Sequence, residues 1–158
     1  MVTNPIVRAF VIVLATAGGA GYAPVAPGTA GSLVALPLVP FIAGMRDASL
    51  LAGASLVVAI VVLAVWVAGR AEVVFGAPDH GCIVIDEVAG MATAALFVPA
   101  TWLAAVVAFV AFRVFDVMKP YPAGLIDRRG RGGIGVVGDD LVAGVYAGIV
   151  TRLILEVL

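Results

Sequence analysis

The stretch ASLLAGASLVVAIVVLAVWVAG, residues Ala48–Gly69, contains no charged side chain. About 20 apolar residues in a helix cross the hydrocarbon core of a bilayer, so this stretch predicts a transmembrane helix. The whole chain of 158 residues has the same character, because it is 63% hydrophobic and only 12% charged. An ordinary soluble domain has roughly 25% charged residues. We therefore predict an all-α fold, a compact helical membrane protein with a single membrane-embedded domain over residues 1–158.

Proline and glycine residues divide the two other long uncharged runs, Ala9–Met45 and Val88–Phe112. The first run breaks at Gly18–Gly28, where four glycines and two prolines gather, and the second breaks near Pro99. Pro120 is expected to stop the helix that follows. We therefore expect several transmembrane or re-entrant helices. They are predicted at Pro5–Ala17, Thr29–Met45, Ala48–Gly69, Asp86–Val98 and Thr101–Met118, with a last helix opened by Asp139-Asp140 and running to Leu158.

The basic segment, defined here as Lys119–Gly138, carries four cationic residues close together. Short basic loops tend to stay on the cytoplasmic side of a membrane, which predicts that side for this segment. The net charge of −1 and the lack of an extended basic tract exclude nucleic acid as a partner. One cysteine, Cys82, excludes an intrachain disulfide, and with one histidine it excludes a four-ligand structural zinc site. No sequence pattern indicates an oligomeric state.

Six of the ten acidic residues lie on or beside strongly apolar helices: Asp86, Glu87, Asp116, Asp127, Asp139 and Asp140. An unpaired acid near mid-bilayer costs roughly 2.5–3.5 kcal/mol, so these acids must face water, pair with cations or share a metal ion. Oxygen ligands without cysteine or histidine suit magnesium, which usually completes its shell with substrate phosphate. We predict a magnesium site whose ligands are Asp86, Glu87, Asp139 and Asp140. We assign Asp116 and Asp127 as further ligands or as bases that orient an attacking water.

Cationic and hydroxyl side chains beside the acids are predicted to bind phosphate. In Arg113-x-x-Asp116-x-x-Lys119 the i, i+3 spacing places all three residues on one helix stripe. We predict Arg113, Lys119 and Arg128 as phosphate-binding cations. Thr29 and Ser32 are predicted phosphate ligands because free N–H groups and hydroxyls at a helix start attract anions. His80, the only histidine, is a candidate acid or base.

Each of these assignments has a structural alternative. Arg113 and Asp116 could simply neutralise one another within the bundle. Thr29 and Ser32 also fit ordinary helix capping, and Asp139 fits an N-cap. A lone histidine such as His80 is more often a structural residue than a catalyst. The sequence by itself leaves these alternatives open.

Five separated motifs cover most of the chain. They are Gly19-x-Gly21, APGTAGS at Ala26–Ser32, DHGCIVIDEVAGM at Asp79–Met91, RVFDVMKPYP at Arg113–Pro122 and DRRGRGGIGVVGDDLVAG at Asp127–Gly144. In this order the set resembles the phosphatidylglycerophosphatase A family of bacterial membrane phosphatases. The resemblance implies a mostly helical enzyme of the bacterial inner membrane. It also implies phosphatidylglycerophosphate as substrate, phosphatidylglycerol and phosphate as products, and magnesium as cofactor. The family's motif acids fall on the six acids named above.

Other functions are consistent with parts of the pattern. A metal-dependent phospholipid headgroup transferase would also be rich in acids, but its usual Asp-Gly pair before Ala-Arg is absent. An ion- or proton-coupled carrier would spread its acids across the depth of the membrane. A small structural subunit would give no reason for so many acids beside arginine and lysine. The sequence therefore favours a hydrolase acting on a phosphate monoester of a membrane lipid.

Overall fold

The computed structural model describes residues 4–157, apart from the side chain of residue 129, and this range is helical without strands. The prediction of an all-α fold is confirmed. In chain order the elements are α1 (Pro5–Ala15), a 3-10 turn (Ala20–Tyr22), α2 (Pro27–Ala35), α3 (Leu38–Ala48), α4 (Leu50–Phe75), α5 (Ile85–Ala94), α6 (Trp102–Met118), α7 (Ala123–Arg129) and α8 (Gly132–Val157).

Three helical stretches within residues 4–157 are long and apolar enough to cross a membrane: Pro27–Ala48, Leu50–Phe75 and Gly132–Val157. The span predicted at Ala48–Gly69 is confirmed as α4, which continues six residues farther. A charged side chain does not end a helix, whereas Gly76 does so here with a φ of 75°. The helix predicted at Thr29–Met45 is present as two consecutive helices, α2 and α3.

Helix α8 is the centre of the bundle and contacts α4, α5, α6 and α7. Small residues make its contact with α5 very close. A Cβ atom on Gly144 would overlap the carbonyl oxygen of Gly90, and one on Gly90 would lie 2.8 Å from the carbonyl oxygen of Asp140. Helices in membranes pack through such close backbone approaches. The crossing of α5 and α8 therefore fixes where the acids at their N-terminal ends lie relative to each other.

The sequence prediction for the start of α8 is wrong. Helix α8 begins at Gly132, seven residues before Asp139, so Asp139-Asp140 lie in its second and third turns rather than at its start. The glycines before them are packing sites rather than flexible linkers. A Cβ on Gly133 would overlap the carbonyl oxygen of Val65 in α4. The N-cap alternative for Asp139 is therefore excluded.

Candidate active site

A cavity of about 800 Å³ opens where the ends of several helices meet. Its wall is formed by the N-terminus of α2, the loop after α4, the first turn of α5, the end of α6 and the start of α8. All six predicted acids line it, and Glu72 and Asp79 join them. Among the side chains that the structure describes, the lining cations are Arg113, Lys119 and Arg131. The scattered acids of the sequence therefore do converge on one place.

Asp86 and Glu87 occupy the first turn of α5, where the positive end of a helix favours negative charge. Asp86 is only 8% exposed, and its Oδ1 accepts a hydrogen bond from the backbone N–H of Glu87. Burial first, and the adjacent Glu87 carboxylate second, raise the pKa of Asp86 well above its ordinary value. Burial likewise raises the pKa of Glu87. Two neighbouring buried carboxylates that resist ionisation are a place where a bound cation would be strongly favoured.

Asp139 and Asp140 reach the cavity from α8 and are 7% and 4% exposed. The acids form two groups that share Asp140. Ligand oxygens of Asp86, Glu87 and Asp140 lie within 4.8 Å of one another, and so do those of Asp116, Asp139 and Asp140. Glu87 Oε2 and Asp140 Oδ2 are buried and have no hydrogen-bond partner in the described part of the chain. Buried polar atoms are normally satisfied, so these two oxygens are free to accept a bond from a cation or another donor. Their all-oxygen chemistry fits magnesium.

The cations of the site are held by its acids. Arg113 pairs with Asp116, with 2.7 Å between Nη1 and Oδ2, and its Nη1 is 3.9 Å from Glu87 Oε1. Lys119 ends α6 with a φ of 45°, and its Nζ bonds Asp127 and, at 2.7 Å, Asp139 Oδ2. Burial lowers the pKa of Lys119, but these two bonds outweigh that effect and raise it above its ordinary value. Two permanent positive charges are thus placed beside the acid groups, where they could meet a phosphate.

The sequence profile of the family described as Phosphatidylglycerophosphatase A matches residues 13–155. The chain belongs to the phosphatidylglycerophosphatase A family. The resemblance predicted from the five motifs is therefore confirmed. Every cavity-lining acid lies within the part of the chain that this match covers.

Individual relatives support membership of the phosphatidylglycerophosphatase A family. A protein of that name from Escherichia coli is 38% identical over 141 residues, covering 85% of this chain and 77% of the relative. A protein with the same name from Haemophilus influenzae is 40% identical over 76 residues, which are 48% of this chain and 47% of the relative. A Bacteroides thetaiotaomicron protein named "Putative phosphatidylinositol-3-phosphatase" is 36% identical over 146 residues, covering 86% and 87%. No solved structure is a significant match.

In this family member, three predicted phosphate ligands point elsewhere. Ser32 is fully buried, and its hydroxyl donates to the carbonyl oxygen of Gly28 at 2.8 Å, inside α2. Neither Ser32 nor Thr29 lines the cavity, which meets α2 at Ala26–Gly28 instead. Ser32 is not a cap either, because the N-cap of α2 is Ala26 and the Ser32 hydroxyl bonds a carbonyl within the helix, as serine hydroxyls readily do. Arg128 is exposed and also lies outside the lining, whereas Arg131 belongs to it.

His80 lies beside the cavity rather than in its wall. Its ring stacks on Phe75 with 4.8 Å between centroids, and its Nδ1 accepts a hydrogen bond from the N–H of Cys82. Both contacts hold the loop between α4 and α5. The structural alternative therefore describes this histidine better than a role as acid or base.

The N-terminus of α2 contributes a residue that the sequence did not mark as functional. A Cβ on Gly28 would overlap Glu87 Oε1 and lie 3.3 Å from Arg113 Nη1. The carboxylate of Glu87 therefore occupies the space that a side chain at position 28 would take. The helix start at Pro27-Gly28-Thr29, which the sequence predicted to bind an anion, therefore lies against the carboxyl group of Glu87. Gly28 positions Glu87.

Glu72 is a second residue that the sequence did not single out. It lies in the last turn of α4, and its Oε1 accepts a hydrogen bond of 3.0 Å from the backbone N–H of Asp79. This bond ties the loop after α4 to the helix and holds the cavity wall in place. The sequence feature that could have identified Glu72 is its charge close to the end of an apolar span, because charged residues in such places are often functional.

Proposed function

We propose that the chain hydrolyses the terminal phosphate monoester of phosphatidylglycerophosphate with magnesium, giving phosphatidylglycerol and phosphate. One observation carries the proposal: the buried acids converge, with two unsatisfied oxygens, beside cations suited to phosphate. Family membership supplies the reaction class. The grouping of the acids at one cavity also favours an enzyme over a carrier, which would distribute them through the membrane.

The side chains of the cavity fit the needs of phosphoryl transfer, in which positioning and charge stabilisation matter most. Magnesium held by Asp86, Glu87 and Asp140, with Asp139 nearby, would activate water and neutralise phosphate oxygens. Arg113 and Lys119 line the cavity beside the acid groups, where a bound phosphate can reach them. Arg131 replaces Arg128 as the third phosphate-binding cation. Asp127 can accept a proton from the attacking water, and Asp116 is a further metal ligand.

We propose that the site faces the cytoplasm from the bacterial inner membrane. The cavity is formed partly by the basic segment, since Lys119, Asp127 and Arg131 all line it. The positive-inside tendency places such a segment in the cytoplasm. The three apolar spans would hold the lipid and leave its headgroup at that surface.

Phosphate release from purified protein in detergent micelles tests this function. We expect release from phosphatidylglycerophosphate that depends on added magnesium and stops with a chelator. Because the Bacteroides relative is named a phosphatidylinositol-3-phosphatase, the same assay is run with phosphatidylinositol 3-phosphate. Faster phosphate release from this lipid would identify a phosphoinositide as the preferred substrate. Asp47→Asn is a suitable control, because Asp47 is exposed and pairs with Arg46 outside the cavity. No release from either lipid at any magnesium concentration would contradict the proposal.

Substitution of the residue that positions Glu87 should weaken the site without emptying it. Gly28→Ala is expected to lower magnesium affinity and activity by roughly 10–100-fold, as changes behind a metal ligand typically do. The reason is that the new methyl group must displace Glu87 Oε1. The measurement is the magnesium concentration needed for half-maximal phosphate release.

Gly44→Ala is the matched control for Gly28→Ala. Gly44 lies within helix α3, and a Cβ there would have one neighbour within 4 Å, Ala100 Cβ at 3.9 Å. This variant should behave like the unmodified protein. An unchanged magnesium requirement in Gly28→Ala would show that Glu87 does not need its observed position.

A further inference from the structure

The two acid groups that share Asp140 differ in their cation partners. In the first group Asp86 has no ion pair with any cation whose side chain is described, and Glu87 Oε1 lies 3.9 Å from Arg113 Nη1. In the second group Asp139 Oδ2 accepts a hydrogen bond of 2.7 Å from Lys119 Nζ, and Asp116 Oδ2 forms an ion pair with Arg113 Nη1 at the same distance. A carboxylate has two oxygens, so both acids keep one for another ligand.

The unsatisfied Asp140 Oδ2 belongs to the residue that both groups share. Asp140 is 4% exposed, lines the cavity and lies within reach of acids from both groups. A buried carboxylate oxygen without a donor is costly unless a ligand binds it. Asp140 is therefore placed to serve two ligands, one on each side.

Charge balance favours more than one divalent ion. Within the described chain, eight carboxylates and three cationic side chains line the cavity, which leaves five negative charges when all are ionised. With one divalent ion bound, the cavity would keep three negative charges. A phosphate monoester, which carries close to two negative charges, would still be repelled. With a second divalent ion bound, the cavity would keep one negative charge. The repulsion between that charge and the phosphate would be small enough for Arg113 and Lys119 to offset.

We infer that the cavity binds two divalent cations side by side, one at Asp86, Glu87 and Asp140 and the other at Asp116, Asp139 and Asp140, with Asp140 as the common ligand. The inference rests on the proposed function. Paired ions of this kind stabilise both the attacking and the leaving oxygen of an in-line displacement. Arg113, through its ion pair with Asp116, and Lys119, through its hydrogen bond to Asp139, orient the ligands of the second position. The first position binds more tightly, because its acids lack such partners.

Manganese is the probe, because it shares magnesium's preference for oxygen ligands and is paramagnetic. The purified protein in detergent is titrated with manganese, and free manganese is counted by electron paramagnetic resonance. We expect two ions per chain of unequal affinity, and a frozen spectrum that shows magnetic coupling between them. Asp47→Asn, the control outside the cavity, should give the same result.

Three variants separate the two positions. Asp86→Asn and Asp116→Asn should each bind one manganese ion per chain and show no magnetic coupling. The ion that remains in Asp86→Asn should be the one of lower affinity. Asp140→Asn should weaken both ions at least tenfold. Asp86→Asn and Asp140→Asn each remove a buried charge, so their metal-free thermal unfolding is expected at or above that of the unmodified protein. Asp116→Asn also breaks the ion pair with Arg113, so its metal-free thermal unfolding is expected at a lower temperature. Asp86→Asn and Asp116→Asn carry the test if Asp140→Asn does not fold.

One manganese ion per chain at saturation, or two ions without coupling, would overturn the inference. Loss of a single ion in Asp140→Asn would overturn the sharing of Asp140. If one ion binds and magnesium-dependent phosphate release is observed, only the second ion is refuted and the proposed function stands. If two coupled ions bind but neither lipid is hydrolysed, the metal inference stands and the proposed function fails.

Discussion

Asp140→Asn should lower kcat/KM for phosphatidylglycerophosphate by roughly a thousandfold, the size of loss seen when a group that stabilises transition-state charge is removed. Asp140 is the acid that both carboxylate groups share, and its Oδ2 has no protein partner in the described range. An amide keeps the shape of the side chain but supplies less charge to a cation. The measurement is initial phosphate release over a range of lipid and magnesium concentrations.

The matched comparison for Asp140→Asn is Asp47→Asn, the same chemical change at an exposed acid. Its kcat/KM should stay near that of the unmodified protein. Thermal unfolding without metal separates folding from chemistry, because loss of a buried charge should not destabilise the bundle. An Asp140→Asn variant with kcat/KM within tenfold of the unmodified protein would refute the central position of this acid.

Gly144→Ala should both destabilise the protein and impair its activity. A Cβ there would overlap the carbonyl oxygen of Gly90, so α5 and α8 must separate. Overpacking of this kind typically costs about 1–3 kcal/mol. The separation also moves Asp86 and Glu87 away from Asp140, and a misplacement of about 1 Å can reduce catalysis by about a hundredfold. Thermal unfolding and phosphate release are the two measurements.

Gly44→Ala is again the control, since its added methyl group has room in α3. Alanine is favoured over glycine inside a helix by roughly 0.5–1 kcal/mol, so this variant should be as stable as the unmodified protein or slightly more. If Gly144→Ala resembles Gly44→Ala in both measurements, the close crossing of α5 and α8 does not hold the site together.

Uncharged runs and prolines located most of the helices correctly, because both act through local physics. An apolar run must be buried or span lipid, and proline limits the backbone wherever it stands. The start of α8 was missed because glycines such as Gly133 suggest flexibility in a sequence. Here they allow close contact with Val65 of α4, a tertiary effect with no local signal. Helix α7 was missed because its charges resemble a solvated loop.

The acids of the site could be predicted because buried charge is costly wherever the chain folds. Directions of side chains could not be predicted. Ser32 bonds its own helix, and Arg131 rather than Arg128 lines the cavity, because the turn between α7 and α8 decides which side chain points inward. Within the motif APGTAGS the sequence marks Thr29 and Ser32 as candidate ligands, but not Gly28. Its contact with Glu87 joins residues far apart in the chain, which a single sequence does not reveal.

Helix α8 sets the depth at which the chemistry takes place. Val157 lies eighteen residues after Asp139, and a rise of 1.5 Å per residue makes this segment of α8 about 27 Å long. The hydrocarbon layer of a bilayer is ~30 Å thick. A segment of this length that ends at one surface of the layer would therefore place the carboxylates of Asp139 and Asp140 close to the opposite surface. With α8 crossing the bilayer as proposed, the phosphate of a lipid in that leaflet would lie level with the carboxylates. The substrate would then reach the enzyme by two-dimensional diffusion, without leaving its leaflet.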